Sequence, residues 1–399
     1  MTGCLSLNSN RGLVKDKDYE GKNRKAAMRV TVIGPVYPYR GGIAHYTAQL
    51  ARALEAAGHT VHTISFKRQY PAWLYPGASD RDPSQDALRV EAEYLLDPLY
   101  PWTWTKTKRF IEHQHPDLVV IQWWTTFWAP AFAWLASALH RNRIRVVFII
   151  HNVMPHEASF FDRPLARLAL KQGSAFVAQT EGERARLLAF LPGRQVALCT
   201  LPVYSVLAGK CIPRGEARRK LRLADDKPVL LFFGIVRAYK GLKLLIESLA
   251  LLGEAEHSPI LLVAGELWED KDGYGQLINR LGLEKRVRLE DRYVPDEEAA
   301  LMFSAADMLV APYVGGTQSG AVGMALGCGL PMVVSDIVGA GIAPENLKNV
   351  KIFPAGDIDA LVGAVRQMLQ QLGGEPRMER AEDDWWRLVY TLEALVERK

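Results

Sequence analysis

A short loop bounded by glycines carries two basic residues whose type and spacing suit the binding of phosphate. The loop runs from Gly234 to Gly241, follows an apolar run that predicts a strand, and contains Arg237 and Lys240. Surface Arg and Lys usually face only solvent, but cations at the carboxyl end of a strand in a doubly wound sheet can clamp an anion such as a diphosphate. The position of this loop therefore favours an anion site.

Glycines also lie between the first predicted strand and its helix. Gly41 and Gly42 end that connection, and a glycine pair lets the backbone approach a ligand at the start of the helix. The connection lacks the Gly-x-Gly-x-x-Gly spacing of dinucleotide-binding turns, which argues against a dinucleotide enzyme. A glycine pair alone is a weak signal that is more often structural.

A second run of small residues, from Thr317 to Gly320, precedes a predicted helix over residues 321–327. It offers a hydroxyl N-cap and free backbone amides, and helix N-termini attract phosphate. An ordinary capped helix would explain the run by itself. Together with Arg237 and Lys240, however, the run favours a diphosphate site in the second half of the chain.

The remaining candidates for acid–base or metal chemistry are in loops. His151 ends a predicted strand, where a packed core histidine is about as common as a ligand contact. His156 and Glu157 follow in the same loop, and these two side chains could either stabilise the loop or contact a substrate. His113 and His115 have the spacing of a metal pair but no third ligand, so we expect no metal site.

Strands alternating with helices must position these loops. From Met28 onward, short β-branched runs alternate with amphipathic segments, which predicts an α/β fold with doubly wound parallel sheets. The predicted strands are 29–34, 62–66, 118–121, 146–150 and 176–179 in the first half, and 228–234, 260–264, 287–289, 308–311 and 332–335 in the second. Helices are predicted at 242–252, 321–327 and 384–398.

This pattern divides the chain into two Rossmann-like domains. We expect a disordered tail over residues 1–27, a first domain over 28–207 and a second over 208–378. The last segment, 379–399, is expected to form a helix that packs back on the first domain. The polar stretch 208–227, with Pro213 and Gly215, is interpreted as the linker between the domains.

Composition excludes several classes of function. The chain has 399 residues, of which 49% are hydrophobic and 23% charged, as in folded multidomain proteins. A net charge of +5 is too weak for nucleic-acid binding. The four cysteines are scattered without a CxxC pair, which fits a reducing cytoplasm and excludes a zinc ribbon. The uncharged stretch 118–139 is interpreted as a strand and a helix rather than a membrane span, because Pro130 interrupts it.

Four segments, in their order and spacing, resemble glycosyltransferase family 4, whose members have two Rossmann-like domains in the GT-B fold and use nucleotide-diphosphate sugars. They are GPVYPYRGGIAHYT at 34–47, HNVMPHE at 151–157, FFGIVRAYKGLKLLIESL at 232–249 and TQSGAVGMALGCGLPMVVSDIVG at 317–339. The resemblance extends from Met28 to the C-terminal helix. It implies transfer of a sugar to the hydroxyl of a glycan or lipid-linked glycan, with retention of configuration and without a metal or other cofactor.

The resemblance also implies roles for individual residues. A histidine at the position of His151 contacts the transferred sugar in similar enzymes, and residues equivalent to Arg237 and Lys240 bind the diphosphate, so these three are the expected catalytic residues. The expected donor-binding residues are Gly41, Gly42, Gly234, Tyr293, Val294, Thr317, Gln318, Ser319 and Gly320, and the candidates for acceptor binding are His156 and Glu157.

The chain departs from the family at two positions. The family commonly carries two glutamates before its Gly-x-Pro, one for the donor sugar and one for the ribose, and Gly316 and Met324 stand there in this chain. Recognition of the sugar and the ribose is therefore not carried over. Two alternatives stay open: a nucleotide-sugar epimerase on the same scaffold, and a catalytically silent nucleotide-sugar-binding protein.

The first half of the chain is the more basic half and holds most of the ten tryptophans. Between Trp73 and Trp134 they accompany Lys106, Lys108 and Arg109, a combination that suits a membrane interface or a lipid-linked acceptor. Ordinary core packing fits the tryptophans as well. We expect a cytoplasmic protein with a peripheral contact at the inner face of the membrane and no nucleic-acid partner.

Overall fold

The computed structural model describes residues 26–155, 159–253, 258–372 and 381–397. Almost all of the expected N-terminal tail lies outside the described residues, as do His156 and Glu157.

The first sheet has seven parallel strands in the order β3-β2-β1-β4-β5-β6-β7. They are β1 (Arg29–Ile33), β2 (Thr60–Phe66), β3 (Glu93–Leu96), β4 (Leu118–Trp123), β5 (Arg145–Ile150), β6 (Ala175–Ala178) and β7 (Val196–Leu198). Its helices are α1 (Gly42–Ala56), α2 (Pro101–Gln114), α3 (Ala129–Arg141), α4 (Asp162–Leu170) and α5 (Glu181–Phe190). Val30 of β1 pairs with Val61 on one side and Leu118 on the other, so the strand order reverses there. Such a reversal opens a crevice at the carboxyl ends of the strands.

The second sheet has six parallel strands in the order β10-β9-β8-β11-β12-β13. They are β8 (Val229–Phe233), β9 (Ile260–Ala264), β10 (Val287–Glu290), β11 (Met308–Ala311), β12 (Met332–Ser335) and β13 (Val350–Phe353). The remaining helices are α6 (Arg214–Leu221), α7 (Leu242–Leu251), α8 (Lys271–Arg280), α9 (Asp296–Ala305), α10 (Gly320–Gly327), α11 (Asp336–Gly339), α12 (Ile358–Gln371) and α13 (Trp385–Glu397). Two doubly wound sheets confirm the expected pair of Rossmann-like domains.

Three strands were not predicted, and all three lie at sheet edges or are short. The strands β3, β7 and β13 are only partly buried, so their sequences contain no continuous apolar run of the kind that marks a central strand. The predicted central strands, by contrast, are largely buried, whereas the predicted edge strand β10 is only partly buried along its length.

The segment expected to be a polar linker is folded onto the second domain. Its helix α6 buries Arg218, whose guanidinium pairs with Asp307 at 2.5 Å and donates hydrogen bonds to the carbonyls of Ala224 and Asp225. Polar composition was a poor guide here because a long arginine side chain can bury its stem while its head is paired.

The C-terminal helix crosses back to the first domain, as expected. The ring of Trp385 meets that of Tyr46 on α1 at 4.9 Å in an edge-on arrangement, and Glu393 pairs with His59 at 3.1 Å. Just before the helix, the carboxylate of Asp384 accepts a hydrogen bond from the backbone of Val203 at 2.7 Å. The C-terminal helix therefore packs against α1, the helix that begins at the glycine pair.

The uncharged stretch 118–139 forms β4, a short 3-10 turn and most of α3, as the sequence indicates. Within the described ranges, no helix combines the length and the apolar character needed to cross a bilayer.

Candidate functional site

The N-terminus of α1 is open at the glycine pair. Gly41 occupies the N-cap position with φ 105°, a conformation that favours glycine, and no side chain caps the helix. The first backbone amides of α1 therefore point out of the helix without a side-chain partner.

The N-terminus of α10 is open for a different reason. Ser319 is at the N-cap position, but its hydroxyl lies 2.9 Å from the Tyr313 hydroxyl and makes no capping hydrogen bond. A hydroxyl residue is at the N-cap as expected, but its side chain is directed to the buried Tyr313 and does not cap the helix. The amides at the start of this helix are consequently left for a ligand.

These two helix starts meet between the domains. A Cβ atom placed on Gly320, the first residue of α10, would lie 3.9 Å from the Cα of Gly42, the first residue of α1. Each helix N-terminus carries about half a positive charge. Their convergence creates a place suited to an anion, built from backbone of both domains.

The two cations of the glycine-bounded loop lie beside this place. Lys240 has its Nζ 5.6 Å from the ring centre of Tyr313, the residue that holds Ser319. Burial lowers the pKa of Lys240 below its ordinary value, and among the described residues no carboxylate forms an ion pair with it. The Arg237 guanidinium lies 4.7 Å from the ring centre of Trp268.

Glycine is required at the start of that loop. Gly234 has φ 103°, and a Cβ on it would come within 3.1 Å of the Lys240 Nζ. Gly234 thus gives the ammonium group room at the end of β8.

His151 is buried at the end of β5 and is tied to both domains. Its Nε2 lies 2.7 Å from Oε1 of Gln122, and its ring packs edge-on against that of Tyr46. Its backbone carbonyl accepts hydrogen bonds from Thr317 Oγ1 at 2.7 Å and from Gln318 Nε2 at 3.4 Å. Burial lowers the pKa of His151 to about 3, so the imidazole is neutral near pH 7.

Tyr293 and Val294, the predicted base-binding residues, lie where the domains touch. Val294 is buried, and the Tyr293 hydroxyl donates a hydrogen bond to Asp82 of the first domain at 3.1 Å. The guanidinium of Arg40 lies 4.9 Å from the Tyr293 ring centre. The structure therefore brings the connection that ends at Gly41 into contact with the predicted base-binding loop at Tyr293 and Val294.

Sequence reasoning missed Glu266, which joins the two domains. Its carboxylate pairs with Arg40, accepts a hydrogen bond from the backbone of Ala78 at 2.7 Å and another from Trp268 Nε1 at 3.0 Å. Burial acts to raise the pKa of Glu266, but these hydrogen bonds and the Arg40 charge hold it below 4.5. Its position could have identified it, because Glu266, like Arg237, follows the carboxyl end of a parallel strand, where ligands bind in such sheets.

The two positions where the family commonly has glutamates are built differently here. Gly316 has φ 99°, a left-handed conformation that a glutamate would adopt only with strain. Met324 is on α10 and its side chain is buried in the core. Neither position offers a carboxylate to a sugar or a ribose.

Two family models match most of the chain. The glycosyl transferase 4-like domain matches residues 41–203, and the glycosyl transferases group 1 domain matches residues 227–371. The first match covers β2 to β7 and begins at the N-cap of α1, and the second covers all six strands of the second sheet and the start of α10.

Individual proteins agree with these matches. A D-inositol 3-phosphate glycosyltransferase of Catenulispora acidiphila is 34% identical over 134 residues, which is 32% of either chain, so that match spans about a third of the relative's length. The enzyme of the same name from Thermobifida fusca is 24% identical over 86% of this chain and 83% of its own. Among solved structures, Anabaena HepE in complex with UDP and glucose has a TM-score of 0.64 at 18% identity, covering 86% of this chain and 91% of its own.

The likeness to that solved structure supports the GT-B arrangement of the two domains. The two family models together span the glycine pair, the loop with Arg237 and Lys240, and the helix start at Gly320. The chain belongs to the family 4-like glycosyltransferases of the GT-B fold.

Proposed function

We propose that this protein transfers a sugar from a nucleotide-diphosphate sugar to an acceptor hydroxyl, with retention of configuration and without a metal ion at the leaving group. The observation that carries the proposal is the meeting of two uncapped helix N-termini, at Gly42 and Gly320, beside Lys240. The UDP complex of the Anabaena neighbour supports a nucleotide donor of this class.

The chemical task is to stabilise negative charge on the departing diphosphate. The bond between the anomeric carbon and the phosphate oxygen breaks, and charge develops on that oxygen. Preorganised amides and cations in a site shielded from water stabilise such charge most effectively. We assign this role to Lys240, Arg237 and the amides that begin α10 at Gly320.

Retention follows in a front-face reaction. The acceptor hydroxyl approaches from the side that the diphosphate leaves, its oxygen bonds to the anomeric carbon, and its proton passes to the leaving phosphate oxygen. Glu266 is not suited to act as a nucleophile, because its carboxylate is held by Arg40, Ala78 and Trp268. This supports a reaction without a glycosyl-enzyme intermediate.

We assign His151 a contact with the transferred sugar. Because its pKa is lowered to about 3, the ring carries no charge that would compete with Lys240 for the phosphate. A neutral imidazole held by Gln122 can exchange hydrogen bonds with a sugar hydroxyl.

Exposed aromatic residues support a lipid-linked acceptor and a peripheral contact with the cytoplasmic face of a membrane. Trp73 and Trp102 are 81% and 67% exposed, and Phe160 and Phe161 are 86% and 67% exposed. Trp73 follows β2, Trp102 follows β3, and the two phenylalanines follow β5, so all lie toward the carboxyl edge of the first sheet. Exposed aromatic side chains of this kind insert at lipid interfaces.

The decisive experiment incubates the protein with a panel of nucleotide-diphosphate sugars and measures release of the nucleoside diphosphate. We expect one donor to be turned over, and Lys240→Ala to weaken donor binding about 10- to 100-fold because a charge-assisted hydrogen bond is lost. Lys243→Ala is the matched control, since Lys243 is exposed on α7 and should leave binding unchanged.

The outcomes separate the alternatives. Binding of a nucleotide sugar with neither transfer nor hydrolysis would favour a silent binding protein, and a changed sugar with no diphosphate release would favour an epimerase. Equal donor affinity in the Lys240→Ala and Lys243→Ala proteins would remove Lys240 from the site.

The membrane contact is tested by sedimentation with vesicles that contain anionic lipid. Replacing Trp73 and Trp102 together by Ser should reduce the bound fraction severalfold while donor turnover in solution stays the same. Unchanged sedimentation would contradict the proposed contact.

A further inference from the structure

Three titratable side chains from three separate elements meet where the two domains touch. His45 lies in the first turn of α1, Asp82 in the connection between β2 and β3, and Asp296 is the first residue of α9 in the second domain. The His45 Nε2 lies 3.5 Å from Asp296 Oδ1 and 3.8 Å from Asp82 Oδ2. We call these three residues the interdomain cluster.

The interdomain cluster is buried and its charge is not balanced. The side chains of His45, Asp82 and Asp296 are only 8%, 3% and 4% exposed. Two buried carboxylates and one imidazole leave net negative charge away from water, which is unfavourable unless a cation or a proton compensates it. Asp296 Oδ2 is fully buried and has no hydrogen-bond partner among the described residues.

The nearby uncharged groups orient the cluster, and the cation that acts on it, Lys210, is itself paired with Asp86 at 3.5 Å. Ser84 donates to Asp82 Oδ1 from its backbone at 2.9 Å and from its hydroxyl at 2.5 Å. The other oxygen, Oδ2, is the one nearest His45, and it accepts a hydrogen bond from the Tyr293 hydroxyl at 3.1 Å. The Ser84 hydroxyl accepts a hydrogen bond from the Asp296 backbone at 2.9 Å. Outer hydrogen bonds that fix ligating carboxylates in this way are typical of metal sites.

The distances also fit an ion. One donor atom from each residue can be chosen so that all three lie within 4.8 Å of one another. Donors bound to Zn²⁺ at about 2.0–2.1 Å in tetrahedral geometry are about 3.3 Å apart, so a closure of a few tenths of an ångström would suffice for the two measured pairs. An imidazole with two carboxylates suits zinc-class ions better than Mg²⁺ or Ca²⁺, which prefer oxygen ligands alone.

We propose that His45, Asp82 and Asp296 bind one divalent zinc-class ion that fastens the first domain to the second. This goes beyond the proposed transfer reaction, in which the ion has no role at the leaving diphosphate. Because the ligands come from both domains, ion binding requires the closed arrangement and stabilises it.

The test is titration of the full chain with Co²⁺, a spectroscopic substitute for Zn²⁺, after treatment with a chelator and its removal. We expect one ion per chain, displaced by Zn²⁺. Asp296→Asn and His45→Gln should each weaken binding at least about 100-fold, since loss of a direct ligand should exceed the effect of losing an outer partner. His113→Ala is the control and should bind as the parent protein does.

Two further readouts keep the test decisive. Circular dichroism verifies that each variant is folded, and Zn²⁺ should raise the thermal midpoint of the parent but not of Asp296→Asn. Cys211 and Cys328 bring their sulfur atoms to 2.9 Å from each other and are the competing ligands. A sulfur-to-cobalt charge-transfer band that is lost in Cys211→Ser would place the ion on cysteine and overturn the proposal. No binding, together with greater stability of metal-free Asp296→Asn, would show that protons balance the cluster and would equally overturn it.

Discussion

The buried pair between Arg40 and Glu266 should control how firmly the two domains close. In Glu266→Gln the shape is kept, and the amide oxygen can still accept the hydrogen bond from Ala78. The amide nitrogen must then face Arg40 and Trp268, which are both donors. The substitution therefore leaves a buried guanidinium without its counter-charge.

The expected cost follows from the burial of the pair. The side chains of Arg40 and Glu266 are 3% and 8% exposed, and breaking a buried pair on one side costs about 3–5 kcal/mol. Arg40 keeps its 2.9 Å hydrogen bond to the Tyr75 hydroxyl and its place over the Tyr293 ring. We therefore expect the closed arrangement to lose about 2–4 kcal/mol relative to the open one.

Small-angle scattering and hydrogen exchange measure this loss. Glu266→Gln should increase the radius of gyration and speed exchange of the Ala78 amide, whereas global unfolding should change less. The control is Glu216→Gln, which breaks an ion pair with Lys220 at 2.8 Å. The Glu216 and Lys220 side chains are 42% and 56% exposed, respectively. An exposed pair of this kind contributes little, because water screens the two charges.

The same pair predicts a pH dependence. Because the pKa of Glu266 is lowered on folding, its stabilisation is complete above its ordinary value of 4.5 and is lost as the pH falls through the lower folded value. Glu266→Gln should abolish that acid-side opening. A variant that scatters and exchanges like the parent protein at every pH would refute the assignment of closure to this pair.

Two glycines give further predictions. Gly241→Ala would place a Cβ 2.0 Å from the Pro312 carbonyl oxygen at φ 73°, so we expect more than about 3 kcal/mol loss in denaturant unfolding. Gly253→Ala, at φ 80° with no described residue within 4 Å of the added Cβ, is the control and should lose only about 1–2 kcal/mol. Equal losses in the two variants would contradict the steric argument. Gly234→Ala should fold but lower the donor kcat/KM about tenfold by displacing Lys240, and steady-state kinetics with unchanged values would argue against that displacement.

The sequence predicted the central strands most accurately, because their runs of apolar residues are visible without the structure. Central strands such as β1 and β4 are buried on both faces and read as continuous apolar runs, so their bounds agree with the structure to within a few residues. Edge strands such as β3 and β13 are partly exposed and lack that pattern. The helix α6 was missed because its stability depends on the contact of Arg218 with Asp307, a long-range pair that no local pattern encodes.

Some residues of the site could likewise be predicted from the sequence and others could not. Arg237, Lys240 and the two glycine-bounded helix starts could be predicted because they follow strands, and parallel strands collect their carboxyl ends at one edge. Asp82 could not be predicted, since it lies in a long connection without repeating pattern. Its role depends on the approach of Tyr293 and Asp296 from the other domain, which only the tertiary structure shows.

The return of the C-terminal helix means that the polypeptide passes between the domains twice. The two passages lie side by side at Val203 and Asp384, whose hydrogen bond of 2.7 Å is reinforced by Trp385 Nε1 donating to the Val203 carbonyl at 2.9 Å. Two chain segments that cross side by side between the domains permit rotation about the line that joins them. They resist twisting of the domains and sliding of one domain across the other. We therefore expect the domains to open by a swing that separates the two helix starts and to bring them back to the same position on closing.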